Sequence, residues 1–519
     1  MKNFMALRRP LFFGFLAFWL SAASQPLRGT EVSLADAVAR TLRDEPGVSI
    51  QQESVRNAEG VAQTASGQFD WNVTAGGSNE HTSRPNAPFA GPLGVLHRES
   101  GTASFGLGRQ YRSGIIVEPL VTISDLHDNA TVPTRAAYSE LSVQIAVPLL
   151  RGFGRASAAA FEATAQAGLE GQREAARFAI ENEVYATLAA FWNAAAARET
   201  LAAIREIAAR GRAIAAVVDA FTRAGIMDVG IRSRAEAQVA DYDRQGIDAE
   251  LSYFQARQTL GRAMGLTLTE LPDPPSPAGA LPPPLDHPPD ASLAPKFAAE
   301  SIRRRGDYQA LKKSAEQARI LARKAELDLR PQLDLSAQFG YAGGADSSGG
   351  RTAGAARSLS ENLAGPNGLV MLSLAWPVAN NVARGTLVSR RAQLRITQAT
   401  ARQAGQTIVS DVLVSFAALQ AAFRDYELAS GAAAKYRAAA DSENDKVRRG
   451  QSSLNDLISV EQGYVAARLA AIAAQRDCAL AVARIRLASG LLAVESAQDL
   501  RFDLRQISEL PNFATNPEP

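Results

Sequence analysis

The chain has 519 residues, of which 46% are hydrophobic and 21% charged, and its formal net charge is +2. This composition excludes an intrinsically disordered chain, the single cysteine excludes a disulfide scaffold, and a charge near zero gives no support for a nucleic-acid partner. The mean hydropathy of −0.11 also argues against a bundle of many transmembrane helices. On these numbers alone, the protein has the composition of a soluble one.

Residues 1–24 have the pattern of a secretory signal peptide. Lys2, Arg8 and Arg9 precede an apolar run from Leu11 to Leu20, and small residues follow at 21–24. A membrane anchor is the alternative, although the apolar core is short for one. Removal of this segment takes away three positive charges and no negative ones, so the mature chain has a formal charge of 52 − 53 = −1.

Residues 25–265 are predicted to contain a strand–strand–helix–turn–helix unit. Strands at about 69–78 and 138–147 alternate apolar and polar residues, and the second strand ends at Pro148. Long helices are expected at 153–222 and 228–265, separated by Arg223-Ala224-Gly225. The interval between the two strands is long, and the sequence leaves open whether residues 102–123 form further strands.

Residues 296–490 repeat the same order of elements. Strands are expected at about 331–341 and 369–376, followed by Pro377, and long helices at 381–447 and 453–490 are separated by Arg448-Arg449-Gly450. A connector at 266–295 is rich in proline, which is excluded from helix interiors. A polar tail at 491–519 is expected to fray. We interpret the two halves as copies of one duplicated unit in a mainly α protein with β-strands.

The long helices and the alternating strands constrain the architecture in different ways. A helix of roughly 70 residues is ~105 Å long, which exceeds an ordinary globular domain. Its apolar seams, such as Val412, Phe416 and Leu419, require partner helices. The strands suit either a transmembrane barrel or a small amphipathic sheet on a soluble domain. Four strands per chain cannot close a barrel, because a membrane-spanning sheet has no open edge, whereas three chains would supply twelve strands.

In its order of elements the chain resembles the TolC-like outer membrane efflux protein family. The resemblance rests on the repeated unit, on Pro148 and Pro377 after the second strands, on the two Arg-x-Gly turns, on the connector and on the segment from Tyr436 to Gly490. It implies a homotrimer whose twelve-stranded β-barrel lies in the outer membrane of a Gram-negative-type cell. A long α-helical barrel would continue from it, so that most of the mass lies in the periplasm.

The resemblance also implies a function and partners. Members of this family are exit ducts for tripartite efflux pumps or type I secretion systems and are not enzymes. They work with a periplasmic adaptor (membrane fusion) protein and with an inner-membrane transporter of the RND or ABC type. The alternative from the sequence is a non-membrane periplasmic coiled-coil scaffold or adaptor protein.

The ends of the two helical hairpins are the first candidate site. In the family these tips form the periplasmic entrance and contact the adaptor. The corresponding residues here are Arg223, Gly225, Arg448 and Gly450. A purely structural interpretation is that both glycines end their helices in a left-handed conformation, which glycine tolerates best.

Asp456 is the second candidate, because the family places a carboxylate at the entrance constriction. Three such carboxylates around an axis would raise one another's pKa and favour cations. The family's further acidic position is Ser459 here, so a double acidic ring is not expected. Alternatively, Ser453 and Asp456 form a capping box, and Asp228 is expected to cap the equivalent helix of the first hairpin.

Five aromatic residues complete the candidate sites. We expect them either to form girdles at the membrane interfaces or to pack in the core of a soluble sheet; they are Phe69, Trp71, Phe339, Tyr341 and Trp376. The four histidines are scattered and no cysteine pair exists, so we expect no metal, no cofactor and no catalytic residues.

Overall fold

The computed structural model describes residues 31–86, 94–129, 135–225, 227–347, 349–495, 500–503 and 507–511. The expected signal peptide at 1–24 lies outside these ranges.

Over its described residues, the first half of the chain contains five strands and five helices before the connector. In chain order they are β1 (Glu31–Val32), α1 (Leu34–Asp44), α2 (Pro46–Gly67), β2 (Asn72–Asn86), β3 (Gly94–Gln110), β4 (Ile116–Asp128), β5 (Arg135–Pro148), α3 (Arg155–Ala158), α4 (Ala160–Arg223) and α5 (Val229–Ala263). The strand expected at 69–78 therefore begins and ends later than expected, and the helix expected at 153–222 is divided near Ala159.

The connector and the second half contain the remaining elements. They are β6 (Ser276–Pro277), a 3-10 helix (Ala291–Leu293), α6 (Ala294–Arg304), α7 (Gly306–Leu327), β7 (Gln332–Asp346), α8 (Arg351–Ser358), β8 (Ala364–Ala375), α9 (Asn381–Arg448), α10 (Leu454–Ala488), β9 (Val494–Glu495) and β10 (Leu500–Arg501). Helix lengths match between the halves: α1 and α6 have 11 residues, α2 and α7 have 22, and α5 and α10 have 35.

One antiparallel sheet contains six strands in the order β2-β3-β4-β5-β7-β8. The expectation of four strands per chain is therefore wrong, and the question about residues 102–123 is answered, because β3 and β4 form a hairpin across them. Phe105 pairs with Val121 on one face of this hairpin, while Ser104 pairs with Thr122 on the other. The hairpin thus has the period-two alternation of its neighbours, although its polar face is rich in glycine and serine.

The register places most apolar residues of the six strands on one face, with Leu120 and Met371 among the exceptions. One row of paired residues on that face runs through Ala75, Phe105, Val121, Leu141 and Tyr341. On β7 and β8 the same face continues with Leu335 opposite Leu372 and Ala337 opposite Val370. These side chains are largely exposed in the single chain, with Phe105 at 54% and Leu372 at 62%.

The long helices continue from the sheet as a single layer. Next to the strands the packing order is α2-α4-α7-α9, and further away it is α5-α4-α10-α9. Each level of the layer is therefore four helices wide, with α4 in the interior and α9 at an edge. The expected seam is present, because Val412, Phe416, Leu419 and Phe423 are all buried.

The connector crosses the helical layer as a belt. Arg198 of α4 donates to the carbonyl oxygens of Pro277 and Gly279. Gln475 of α10 donates to the carbonyl of Pro282 at 3.1 Å, and Gln420 of α9 to that of Pro289 at 3.0 Å. A connector rich in proline has few N–H groups to satisfy, so its free carbonyls can accept bonds from three successive helices.

The segment after Gly490 does not fray over the residues that the structure describes. Leu492 and Ile507 are each 2% exposed and belong to the central apolar cluster with Leu188, Leu260 and Leu487. Burial of these two side chains, together with the packing of Phe502 and Leu510 on the apolar clusters, contributes to the free energy that holds the segment in place. The rest of the expected tail, 512–519, lies outside the described residues.

By length and composition, α9 and α10 each contain a stretch apolar enough to cross a membrane, with mean hydropathy of 1.4 and 1.2. Both stretches belong to alanine-rich helices that pack along each other. Composition alone therefore does not distinguish these packed helices from membrane spans.

Candidate channel entrance and membrane-facing sheet

The tip of the second hairpin is a tight turn after α9. Gly450 has a φ of +71°, its N–H donates to the carbonyl of Val447 at 3.0 Å, and the N–H of Gln451 donates to that of Lys446 at 2.9 Å. These two bonds define a Schellman motif, which satisfies the last carbonyls of the helix. An added Cβ would meet no atom within 4 Å, so the backbone conformation and not a lack of space requires glycine.

At its glycine, the tip of the first hairpin has the same backbone conformation. Gly225 has a φ of +72° and its N–H donates to the carbonyl of Thr222 at 3.0 Å. Arg223 forms an ion pair with Asp219 one turn earlier. Asp228 is the N-cap of α5, where its Oδ1 accepts from the N–H of Gly230 at 2.6 Å. Arg223 and Gly225 thus lie at one tip, and Arg448 and Gly450 at the other.

Asp456 lies in the first turn of α10 and takes part in its cap. Its N–H donates to Oγ of Ser453 at 3.2 Å, and that hydroxyl donates to Oδ2 of Asp456 at 2.7 Å. The carboxylate therefore stabilises the hydroxyl that caps the helix. Asp456 and Ser459 are both exposed and lie on the same face of α10, whereas Leu454 and Leu457 are buried on the other.

A partly buried polar cluster behind the tips joins the two hairpins. Arg210 of α4 donates to Asp441 of α9 at 3.0 Å and to Glu461 of α10 at 2.7 Å, and its guanidinium lies 5.6 Å from the ring centroid of Tyr464. Burial lowers the pKa of Arg210, but its bonds to Glu461 and Asp441 raise it more, so the pKa lies above its usual value. Burial, followed by the charge of Glu461, raises the pKa of Tyr242 to about 12.

This cluster was not predicted from the sequence, although a signal was present. Arg210 lies on the apolar stripe of Ile207, Ile214 and Val218, and Glu461 lies on the stripe of Leu457 and Val465. Opposite charges at stripe positions of two helices that pack together indicate a buried pair. Two further polar contacts join the hairpins, from Arg234 to Asn455 and from Gln462 to Gln238.

The five aromatic candidates do not share one environment. Phe69 precedes β2, is 2% exposed and packs under the guanidinium of Arg112 at 4.7 Å, so the interface prediction is wrong for this residue. Trp71 is half exposed and lies 5.4 Å from the guanidinium of Arg109. Phe339, Tyr341 and Trp376 are exposed. The four exposed rings therefore keep an orientation that a membrane interface requires.

The spacing of these rings fits the thickness of a bilayer. Trp376 follows β8 opposite the start of β7, and Tyr341 lies ten positions further along β7 than Pro331. Ten residues span ~34 Å along a strand and ~25 Å along the normal of a sheet tilted by about 40°, which equals the apolar band of an outer-membrane barrel.

The fold is that of known outer-membrane channels. The CmeC outer membrane channel of Campylobacter jejuni has 13% identity and a TM-score of 0.63 over 92% of this chain and 90% of that one. The outer membrane protein VceC of Vibrio cholerae has 14% identity and a TM-score of 0.63 over 88% and 96%. The open state of the MtrE outer membrane channel of Neisseria gonorrhoeae has 16% identity and a TM-score of 0.61 over 88% and 89%.

No protein-family model and no curated protein matches the sequence. At 13–16% identity the likeness establishes the fold and not the activity. The resemblance to the TolC-like fold is thereby confirmed. CmeC and MtrE are both outer membrane channels.

Proposed function

We propose that this chain is the subunit of an outer-membrane channel. Three copies would form an exit duct for efflux or secretion across the periplasm and the outer membrane, working with a periplasmic adaptor and an inner-membrane RND or ABC transporter. Most of each subunit would lie in the periplasm. The hairpin tips with Arg223, Gly225, Arg448 and Gly450 would contact the adaptor.

The observation that carries this proposal is the exposed apolar band that crosses one face of all six strands. An exposed apolar surface across six strands is costly in water, whereas lipid accepts it. The opposite face has mainly polar or small residues, such as Thr74, Ser142 and Ser336, with Leu120 and Met371 as larger apolar exceptions, and suits a water-filled lumen. A coiled-coil scaffold in the periplasm would leave this face without a partner, so the alternative from the sequence is less favoured.

Fractionation and conductance test this function together. We expect the mature protein in the outer-membrane fraction, and we expect purified protein to give discrete conductance steps in planar bilayers. Recovery of the protein in the soluble periplasm, with no conductance after purification, would contradict the proposal and favour the scaffold.

We further propose that Asp456 lines the periplasmic entrance and binds cations there. Asp456→Asn removes the charge, whereas Ser453→Ala removes the capping hydroxyl and keeps the charge. The first variant should weaken block of the channel by divalent cations, while the second should mainly lower stability, by about 1 kcal/mol. Asp228→Asn is the matched control at the other tip. If cation block in all three variants equalled that of the unchanged channel, Asp456 would have the capping role alone.

A further inference from the structure

The short helix α8 lies on the face of the sheet that contains the apolar band. Oγ of Ser139 donates to the carbonyl oxygen of Ser358 at 2.6 Å, and a Cβ added at Gly343 would collide with that same oxygen. Ser139 and Gly343 are paired in the register and lie two residues from Leu141 and Tyr341, so they share the face of those two residues. The chain after β7 therefore folds back over the apolar side of the sheet and not over the opposite side.

Arg351 at the start of α8 reaches two further strands on this face. Its Nε donates to Asp125 of β4 at 2.8 Å, and its Nη2 lies 3.9 Å from Glu99 of β3. Asp125 also accepts from Oγ of Ser347 at 2.8 Å, and Nε of Arg135 lies 3.8 Å from it. Asp125 is 7% exposed, whereas 45% of the Arg351 side chain is exposed. The carboxylate is thus enclosed, while each guanidinium has five N–H donors and keeps some of them at the surface.

The chemistry of this face changes at one level of the sheet. Counted from the strand end next to the helices, Phe105 lies 110 − 105 = 5 residues away, Leu141 lies 148 − 141 = 7 and Tyr341 lies 341 − 332 = 9. By the same count, ionisable side chains occupy positions 9 to 13 of β2 to β5; they are His81, Asp125, Glu99, His127, His97 and Arg135. The apolar band therefore ends near Tyr341, and a polar layer follows it.

In the outer-membrane channel of the proposed function, on which this inference rests, the polar layer coincides with the outer headgroups. Tyr341 marks the outer end of an apolar band that is ~25 Å high. Residues up to four positions further lie as much as ~10 Å higher along the membrane normal at a tilt of about 40°. A hydrocarbon core of ~30 Å within a bilayer of ~40–45 Å leaves a headgroup layer of ~5–8 Å on each side. The polar layer and α8 are thus at the level of lipid phosphates.

Six basic side chains lie on this face at that level. Three of the four histidines of the chain are among them, because the register pairs both His81 and His127 with Glu99, and the ring of His97 lies 6.5 Å from that of His81. These histidines are scattered in the sequence, yet they lie together on the sheet. We call the set the basic patch; it consists of His81, His97, His127, Arg135, Arg351 and Arg357.

The charge of the basic patch depends on its histidines. Asp125 and Glu99 lie on the same face, and the exposed Glu361 follows α8. These three carboxylates balance the three arginines, 3 − 3 = 0, whereas protonation of the three histidines gives 6 − 3 = +3. Histidine takes up its proton between about pH 8 and about pH 5, and a surface rich in phosphate attracts protons. Arg98 and Asp128 form an ion pair at 3.6 Å on the opposite face and are not part of the patch.

Exposed leucines beside the basic patch point to a lipid as its ligand. Leu359 and Leu363, which follow α8, are 48% and 59% exposed, and Leu363 lies beside Gly343 on the apolar side of the sheet. A free anion gains nothing from exposed leucines, whereas a lipid has acyl chains directly below its phosphates. We propose that the basic patch, when its histidines are protonated, binds the phosphate groups of an outer-leaflet lipid whose acyl chains contact these leucines.

Lipid binding to the purified full-length protein tests the patch. In a non-ionic detergent, lipid A, a phosphorylated glycolipid, should bind at least about tenfold more tightly at about pH 5.5 than at about pH 7.5. Lipid A without its phosphates should show no such increase. Substitution of His81, His97 and His127 together by asparagine should abolish the increase, whereas His287→Asn, at the exposed histidine of the connector, should leave it unchanged. Equal binding at both pH values, or an increase that survives the triple substitution, would overturn the proposal.

An arginine variant tests the phosphate contact without a change of pH. Arg357 is exposed and donates to the carbonyl of Asp346. Arg357→Gln should weaken binding of lipid A at about pH 5.5 by about fivefold. Arg84→Gln, on the opposite face of β2 at a similar level, is the matched control and should leave binding unchanged. Equal effects of the two substitutions would assign the binding to overall charge and contradict a site on this face.

Two further measurements separate a lipid site from an anion site and from the channel itself. Leu363→Ser should weaken binding of lipid A, and inorganic phosphate at the same concentration as the lipid should not displace it. Displacement by inorganic phosphate would show a site for free anions and overturn the assignment to lipid. All variants should still give conductance steps in planar bilayers. Conductance without phosphate-dependent lipid binding contradicts only this inference, whereas loss of the unchanged protein from the outer membrane contradicts the proposed function.

Discussion

The two halves of the molecule agree in their helices and differ in their strands. Their hairpins share a constant offset of 225 residues, yet the first half contributes four strands to the sheet and the second half two. A helical hairpin tolerates no insertion without losing the alignment of its seam. A β-hairpin, by contrast, adds two strands and leaves the direction and the facing of every other strand unchanged. The sheet can therefore widen while the helices stay constant.

The same pattern of residues also has different consequences in the two hairpins. The interior helix α4 has its charged stripe residue, Arg210, between two other helices, whereas Lys435 at the equivalent position of α9 is exposed. Position in the layer, and not local sequence, therefore explains why Arg210 is partly buried between helices and Lys435 is exposed.

Removal of Arg210 should have the largest effect. Arg210→Met leaves the Glu461 carboxylate buried without its partner, and we expect a loss of stability of about 3 kcal/mol. Lys435→Met is the matched variant and should leave the thermal unfolding of a dissociated chain within about 0.5 kcal/mol. Thermal melts followed by the helical circular dichroism signal measure both; equal losses would show that α4 and α9 are equivalent after all.

The next largest difference in stability is expected between alanine substitutions at two closely packed glycines, Gly211 and Gly463. A Cβ at Gly211 would lie 2.9 Å from the ring of Tyr242, which is 4% exposed, and a Cβ at Gly463 would lie 2.5 Å from the ring of Tyr436, which is 45% exposed. Because only the exposed ring has room to move, Gly211→Ala should cost about 1–2 kcal/mol while Gly463→Ala should be close to neutral. A larger loss in Gly463→Ala would contradict this explanation.

Substitution of the glycine at either hairpin tip should lower stability by the same amount, and by less than the changes above. Gly225 and Gly450 both require a positive φ and both have open space around them, so Gly225→Ala and Gly450→Ala should each cost about 1 kcal/mol. Urea unfolding of the two variants under identical conditions checks this equality. A difference of more than about 1 kcal/mol would show that the tips are not structurally equivalent.

The smallest expected effect is on the pH dependence of unfolding. It compares the bond that an arginine makes near the end of the first half with the one made near the end of the second half. The guanidinium of Arg40 donates to both oxygens of Glu270 at 2.7 Å, and this lowers the pKa of Glu270 from 4.5 to about 2. A lowered carboxyl pKa contributes stability above pH 4.5 that is lost as the pH falls toward 2. In the second half Arg486 donates to the carbonyl of Glu509, which does not titrate. Glu270→Gln should therefore reduce the acid sensitivity of unfolding, whereas an unchanged acid profile would exclude this pair as its source.

Much of the fold could be predicted from the sequence. The stepwise spacing of Val412, Phe416 and Leu419 identified a buried seam, and the Arg-x-Gly sequences identified the ends of both long helices, because each signal depends on residues within a few turns. The hairpin of β3 and β4 could not be assigned, since the positions on its more polar face include glycine and serine, which also favour loops.

The candidate site was less predictable, because it depends on contacts between distant parts of the chain. Ser453 and Asp456 are three residues apart, and their cap follows from local spacing. Arg210 and Glu461 are 251 residues apart, and each resembles an ordinary surface charge until α4 and α10 are known to pack together. Phe69 was misassigned because alternation cannot show where a strand begins, and the ring lies in the turn before β2.

The belt formed by the connector has a mechanical consequence. Its bonds to Arg198, Gln475 and Gln420 hold α4, α10 and α9 at one level, and the tip at Gly225 lies 27 residues beyond Arg198. That distance corresponds to a lever of ~40 Å, so a rotation of about one degree at the belt displaces the tip by ~0.7 Å. The belt is thus a common reference point for both hairpins, and any rotation of α4 at the belt is amplified toward the tip at Gly225.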